Sequence, residues 1–284
     1  MQYLIVVVLC TLATAKVLVQ GAYAKGNIKR IEDATLFNGL IFFVAALLFF
    51  WHAIYADAKI WLFSMVFGIL SVAFQVCYTK ALTIGDVSLT VLIVNLGMII
   101  PITVSVFAFG ESLSVTRLIG ILLTIVTFFV VTDVKRTEKC SVKWILLAMA
   151  TMLVNGALGV TQKLFGKSEW SAQSGAFVSR AYIVAAVVSM IVYLLIRRGG
   201  TVSHGKNPVI FGYAVATGII LAIFQLFNTY AITTVNGTFL FPAYSGGCII
   251  LSTISGLLIF KERLNVRQTI GVGVGVIALI LMNF

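Results

Sequence analysis

Acidic side chains are scarce in this sequence. Nine aspartates and glutamates stand against 20 lysines and arginines among 284 residues. All nine fall in loops or near the ends of apolar runs: Glu32, Asp33, Asp57, Asp86, Glu111, Asp133, Glu138, Glu169 and Glu262. The two histidines, His52 and His204, are equally peripheral. Cys10, Cys77, Cys140 and Cys248 show no spacing that suggests a metal site or a disulfide framework. With no interior cluster of His, Asp, Cys or Ser, a membrane enzyme is disfavoured. Three prolines and no Ser/Pro/Gly-rich run leave no linker and no separate soluble domain. Charged residues make up 10% of the chain, where a soluble domain carries about 25%.

What fills the chain instead is hydrocarbon. Hydrophobic residues are 61% of the total and the mean hydropathy is +1.10, the composition of a polytopic membrane protein. The net charge of +11 is therefore a statement about orientation in a bilayer, not a nucleic-acid footprint. A crossing helix needs about 20 residues, and ten segments qualify: 2–24, 34–55, 60–81, 86–109, 114–132, 142–166, 171–196, 208–232, 237–260 and 265–283. Trp51, Trp61, Trp144 and Trp170 fall near segment ends, as an interfacial aromatic belt would have them. The stretch "LIVVVLCTLATAK" ends in Ala13-Thr14-Ala15 like a signal-peptidase site. It lacks a basic leading region and the apolar run resumes after Lys16, so it is read as the first membrane helix.

The apolar runs repeat. "FGESLSVTRLIG" from Phe109 matches "FKERLNVRQTIG" from Phe260, and "FQVCYTKA" from Phe74 matches "FQLFNTYA" from Phe224. Gln20 and Lys25 match Gln162 and Lys167 in the same way. The expected fold is all-α, with ten transmembrane helices in two halves, 1–140 and 141–284, forming one membrane domain. Five helices is an odd number, so the second half enters the membrane inverted, an arrangement typical of secondary transporters.

The Glu-x-Leu corners Glu111-Ser112-Leu113 and Glu262-Arg263-Leu264, one before the last helix of each half, resemble the ten-helix EamA-like branch of the drug/metabolite transporter superfamily. The resemblance covers essentially the whole chain. It also extends to an arginine early in the second helix of a half, Arg180; the first half departs from it with Asn38. The resemblance implies a ten-helix carrier with a central cavity and alternating access, needing no cofactor. It implies little about cargo, since relatives carry amino acids, sugars, nucleotide-sugars, phosphates and cations. Small multidrug relatives use a membrane-embedded carboxylate, and this sequence offers none, which disfavours a proton-coupled exporter of lipophilic cations. A non-transporting binding or regulatory membrane protein is the alternative.

Two cations lie deep in apolar runs, Lys16 in the first and Arg180 in the seventh. A buried Lys or Arg costs about 2.5–3.5 kcal/mol on the mild insertion scale, so it should face a cavity or a partner. No buried acid is available, and an anionic cargo group, carboxylate or phosphate, suits both. Snorkelling, or bonding to carbonyls of a neighbouring helix, is the competing explanation. Gln75, Tyr78, Asn95, Gln225, Asn228 and Tyr244 are further candidates for a cavity wall, or simply helix-to-helix bonds. Pro101, and Pro242 with Gly246 and Gly247, mark candidate bends for gating. Glu111 and Glu262 are read as structural corners, each capping the helix that follows it, with Arg117 or Arg267 as possible partners.

The expected partners are a small-molecule substrate and the lipid bilayer, with no nucleic acid; monomer and dimer stay open. Most of the 20 basic residues fall on the loops after helices one, three, five, seven and nine. By the positive-inside rule both termini then lie outside the cytoplasm of a bacterial inner or plasma membrane.

Overall fold

The computed structural model describes residues 2–54, 57–97, 99–109, 114–131, 141–198, 209–234 and 237–281. Its helices are α1 (Gln2–Asn27), α2 (Ile31–Ile54), α3 (Ile60–Ile84), α4 (Val87–Leu96), α5 (Ile99–Phe109) and α6 (Val115–Val131). Then come α7 (Val142–Gly166), a 3-10 turn (Ser171–Gln173), α8 (Ser174–Arg198), α9 (Val209–Thr234), α10 (Gly237–Leu258) and α11 (Val266–Leu281). No strand occurs among the described residues. Long apolar runs leave the backbone only one way to satisfy its own polar groups in hydrocarbon, the helix. Among the described residues, five helices are long and apolar enough to cross a bilayer: Tyr3–Asn27, Ile31–Trp51, Ile60–Ile84, Val142–Gly166 and Ser171–Ile196. The other apolar stretches, Val87–Pro101, Val209–Gln225, Tyr244–Leu258 and Val266–Ala278, are shorter.

Local signals set several helix starts. Ser141 accepts from the Trp144 backbone N–H at 3.2 Å and caps α7. Asp33 reaches back to the Lys29 and Arg30 N–H groups at the head of α2. Asn265 and Gln268 cap α11 reciprocally: the Gln268 N–H donates to Asn265 Oδ1 at 2.8 Å and the Asn265 N–H to Gln268 Oε1 at 2.9 Å, a capping box with amides in both places.

The largest core cluster lies among α1, α2, α3 and α8, around Phe37, Ile41, Phe67, Phe177 and Tyr182. Phe165 stacks on Phe177 with centroids 4.3 Å apart. A second cluster joins α4, α7, α10 and α11 through Leu89, Leu92, Trp144, Ile249 and Val272. Helix α2 lies along α8, and α6 along α11. Several of the other contacts between the halves come in matched sets: α3 with α7 and α1 with α9; α3 with α8 and α2 with α9; α1 with α10 and α4 and α5 with α7.

Two expectations are corrected here. Trp144 is not part of an interfacial belt: it is buried, and its indole N–H donates to Thr90 Oγ1 at 3.0 Å. A Cβ on Gly85 would overlap that indole, so glycine is required beside it. The fourth segment is not one helix. It stops at Leu96 and restarts at Ile99. Pro101 has no N–H to give the Gly97 carbonyl four residues back, and its ring crowds that carbonyl. Ile100 takes up the same carbonyl at 3.1 Å in a tighter turn.

Glu111, Asp133, Lys135, Arg136, Glu138, Lys139, Cys140, His204, Lys206 and Phe284 lie outside the described residues, as do the side chains of His52, Arg117, Arg197, Arg198, Tyr230 and Pro242. Every described acid lies at a helix end or between helices, as expected.

Candidate functional site

Lys16 stands about 21 Å along α1 from its start at 1.5 Å per residue, in the middle of a helix of 26 residues. Its side chain is half-buried. Among the described residues none offers it a hydrogen-bond acceptor or a carboxylate. Thr14, almost fully buried, has a hydroxyl that likewise lacks a partner among them.

Arg180 is placed differently. It is buried in the second turn of α8, and its guanidinium donates to the carbonyls of Asp57, at 2.5 Å, and Ala53, at 3.3 Å. The face of Trp61 lies 5.1 Å from its centre. Ala53 lies in the last turn of α2, where the helix dipole is negative and the last C=O groups lack helical partners, and Asp57 follows between α2 and α3. The guanidinium is thus held at the end of a helix by backbone oxygen, the competing explanation raised by the sequence.

One turn after Lys16, Gln20 enters a buried chain of amides and hydroxyls. The Gln75 amide donates to Gln20 Oε1 at 3.3 Å, Gln20 to Thr79 Oγ1 at 2.7 Å, and the Thr79 hydroxyl to Asn38 Oδ1 at 3.0 Å. The network ties α1, α2 and α3 together, and it leaves Gln75 Oε1 and Asn38 Nδ2 without partners among the described residues. Asn38, where the resemblance leads one to expect an arginine, closes a polar chain. Gln75 was a candidate from the sequence and Thr79 was not; the i, i+4 spacing of Gln75 and Thr79, and of Lys16 and Gln20, was the available signal.

Tyr78 is buried in α3 and stacks on Phe74 at 5.4 Å. Tyr244 lies against Phe224 at 5.9 Å, and its carbonyl accepts from the Cys10 thiol at 3.4 Å. Cys10 and Cys248 belong to one buried cluster of α1 and α10, with Tyr244 packed against it; these two cysteines are residues that spacing rules did not single out. Gln225 is buried in α9, while Asn228 is half-buried one turn on. Asn95 folds back to the Val91 carbonyl of its own helix at 2.8 Å.

Of the candidate bends, Pro101 has its break at Gly97. Helix α10 runs unbroken through Pro242, Gly246 and Gly247. Gly247 is a point of close approach, since a Cβ there would lie 2.6 Å from Cys10 Sγ. Helix α7 fits itself to the broken fourth segment: a Cβ on Gly156 would meet Ile100 at 2.4 Å, and one on Gly159 would meet Pro101 at 3.1 Å. Asn155, which the sequence reading passed over, donates to the Val94 carbonyl at the break.

Glu262 is a corner of another kind than expected. It does not cap α11, which Asn265 already caps, and its ion pair is not with Arg267. Lys261 has φ 51, in the left-handed region, and the chain there turns Glu262 inward to the head of α4. Its carboxylate accepts from the Val87 N–H at 2.6 Å, the Ser88 N–H at 3.2 Å, the Ser88 hydroxyl at 2.7 Å and the Lys25 ammonium at 3.0 Å. Burial pushes this carboxyl up, but the bonds from Val87, Ser88 and Lys25 outweigh it and hold the group below its usual value.

Residues 2–132 match the model of the EamA-like transporter family. Over 292 residues the chain is 25% identical to an uncharacterised protein of Haemophilus influenzae, spanning 96% of this chain and 94% of that one. A crystal structure of another protein superimposes with a TM-score of 0.65 at 15% identity, covering 99% of this chain and 96% of that chain; that likeness is one of fold.

Proposed function

We propose that this chain, which carries an EamA-like transporter domain over residues 2–132, is a secondary carrier that moves a small organic anion across the membrane by alternating access. The observation that carries the reading is Lys16: a half-buried cation in mid-helix, with no acceptor among the described residues. An ammonium in such a place is stabilised by an anion that arrives with the cargo. A carboxylate or phosphate serves, with an amino acid the first choice and a sugar phosphate or nucleotide-sugar the second. Gln75, Gln225, Tyr78 and Tyr244 supply neutral polar groups and aromatic faces from α3, α9 and α10 around α1. Arg180, occupied by carbonyls, contributes to the cargo only through the position of α2.

The division into 1–140 and 141–284 as inverted halves is supported by the matched helix pairings, which exchange partners when one half is laid on the other. Pro101 and the break at Gly97 give the fourth segment a place to flex. Counterflow in liposomes with a panel of carboxylates and phosphates tests the reading. Wild-type protein should exchange at least one anion, and Lys16→Met should lose it while keeping its thermal stability. Exchange of a cation in preference to anions, or full anion transport by Lys16→Met, would overturn it.

A further inference from the structure

Glu262 sits on the second half of the chain, and all the partners of its carboxylate described above sit on the first. Lys25 ends α1, and Val87 and Ser88 begin α4. Their bonds to Glu262 converge where α1, α4 and the corner between α10 and α11 meet. Glu262 is almost fully buried, and the Lys25 ammonium also lies 4.4 Å from the Phe260 ring centroid. The backbones are drawn in tightly around it. A Cβ on Gly256 would lie 2.1 Å from the Ser88 hydroxyl and 2.4 Å from Glu262 Oε2, and one on Gly21 would lie 3.2 Å from Phe260. The helices are in close contact at this point.

We infer that the Glu262 carboxylate, held by Lys25, Ser88 and the Val87 N–H, is a latch that closes this end of the bundle and must release for the carrier to open there. An ordinary corner cap satisfies its own helix. This one satisfies the helix of the opposite half, so its bonds are made and broken as the halves move relative to each other. Two features make it releasable. Lys25 is partly exposed, so it keeps a path to water when it lets go. Lys261 has the left-handed backbone that side-chain-bearing residues rarely adopt, a strained position that favours a second arrangement of the corner. Release has a definite cost, because a buried carboxylate without partners is poorly tolerated; the closed state is therefore the resting one until cargo shifts it.

The inference rests on the alternating-access reading for its purpose, but its test needs no transport. In a background with Cys10, Cys77, Cys140 and Cys248 replaced by alanine, one reporter is Val17→Cys, two turns below the latch on α1. The other is Val8→Cys, toward the far end of the same helix. Labelling by a water-soluble maleimide is timed on purified protein without cargo. Glu262→Gln and Lys25→Met should each raise the Val17→Cys rate by about tenfold, the population change expected from one lost charge-assisted bond. The Val8→Cys rate should stay level or fall. An unchanged rate at Val17→Cys, or an equal rise at both reporters, overturns the latch. If Glu262→Gln does not fold, Lys25→Met and Ser88→Ala leave the carboxylate in place and decide the matter alone. A protein that failed counterflow could still show the latch, so the two failures are distinct.

Discussion

Asn155 donates through Nδ2 to the carbonyl of Val94 at 3.0 Å, from α7 into the broken fourth segment. The break frees carbonyls that a continuous helix would have used internally. A neighbouring amide takes one of them, and the small residues Gly156 and Gly159 let α7 lie close enough to do so. The kink is thus held from outside by a second element, which makes it an arrangement of two helices.

Pro101→Ala returns the missing N–H to the Gly97 carbonyl and should straighten the segment. Turnover in counterflow should fall more than cargo affinity does. Asn155→Leu should destabilise the protein by about 1 kcal/mol, the worth of one hydrogen bond, since the Val94 carbonyl keeps the Gly97 N–H; the loss is seen as a lower midpoint of thermal unfolding. A Pro101→Ala variant with an unchanged transport rate would reduce the break to a packing detail.

Glu262 sets a pH dependence. Its folded-state value is held below the ordinary glutamate value of about 4.3 by Val87, Ser88 and Lys25, against the upward push of burial, so its contribution is fully present above that value and is lost as pH falls through the folded value. Of the charged groups against it, Lys25 is the one that bonds to the carboxylate. Thermal unfolding of the purified protein between pH 7 and pH 3.5 should show a steepening loss at the acid end. Glu262→Gln should flatten that part of the curve. An unaltered acid limb in Glu262→Gln would assign it to other carboxylates.

Arg180 separates position from binding. Arg180→Gln removes two charge-assisted bonds at the end of α2 and should cost about 2–4 kcal/mol of stability, while the affinity of the anion for folded protein changes far less than it does in Lys16→Met. Arg180→Lys should be nearly as damaging, since one ammonium cannot span the Ala53 and Asp57 carbonyls as a guanidinium does. Isothermal titration alongside thermal unfolding would show the split. Loss of binding with intact stability in Arg180→Gln would return this residue to the cargo site.

Orientation follows from charge. With most basic residues on the loops after the odd-numbered helices, both termini should lie outside the cytoplasm. A cysteine added after Phe284 should then react with an impermeant maleimide in intact cells. Protection of that cysteine until the cells are opened would reverse the assignment.

Hydropathy alone determined where the helices run, because in hydrocarbon a long apolar stretch has no alternative to the helix. The expected borders of α3, α7 and α10 fall within three residues of those observed. The scarcity of acids and the depth of Lys16 were equally legible, since both depend on position along a single helix. What the sequence did not decide was which helix each polar group serves. Glu262 looked like a cap for the helix that follows it and serves α4; Arg180 looked like a cargo residue and closes the end of α2; Trp144 looked interfacial and is buried against Thr90. In each case the side chain's partners lie 54 to 237 residues away in sequence. Local patterns report a residue's own helix. The partner across a helix–helix contact is fixed by how the bundle packs.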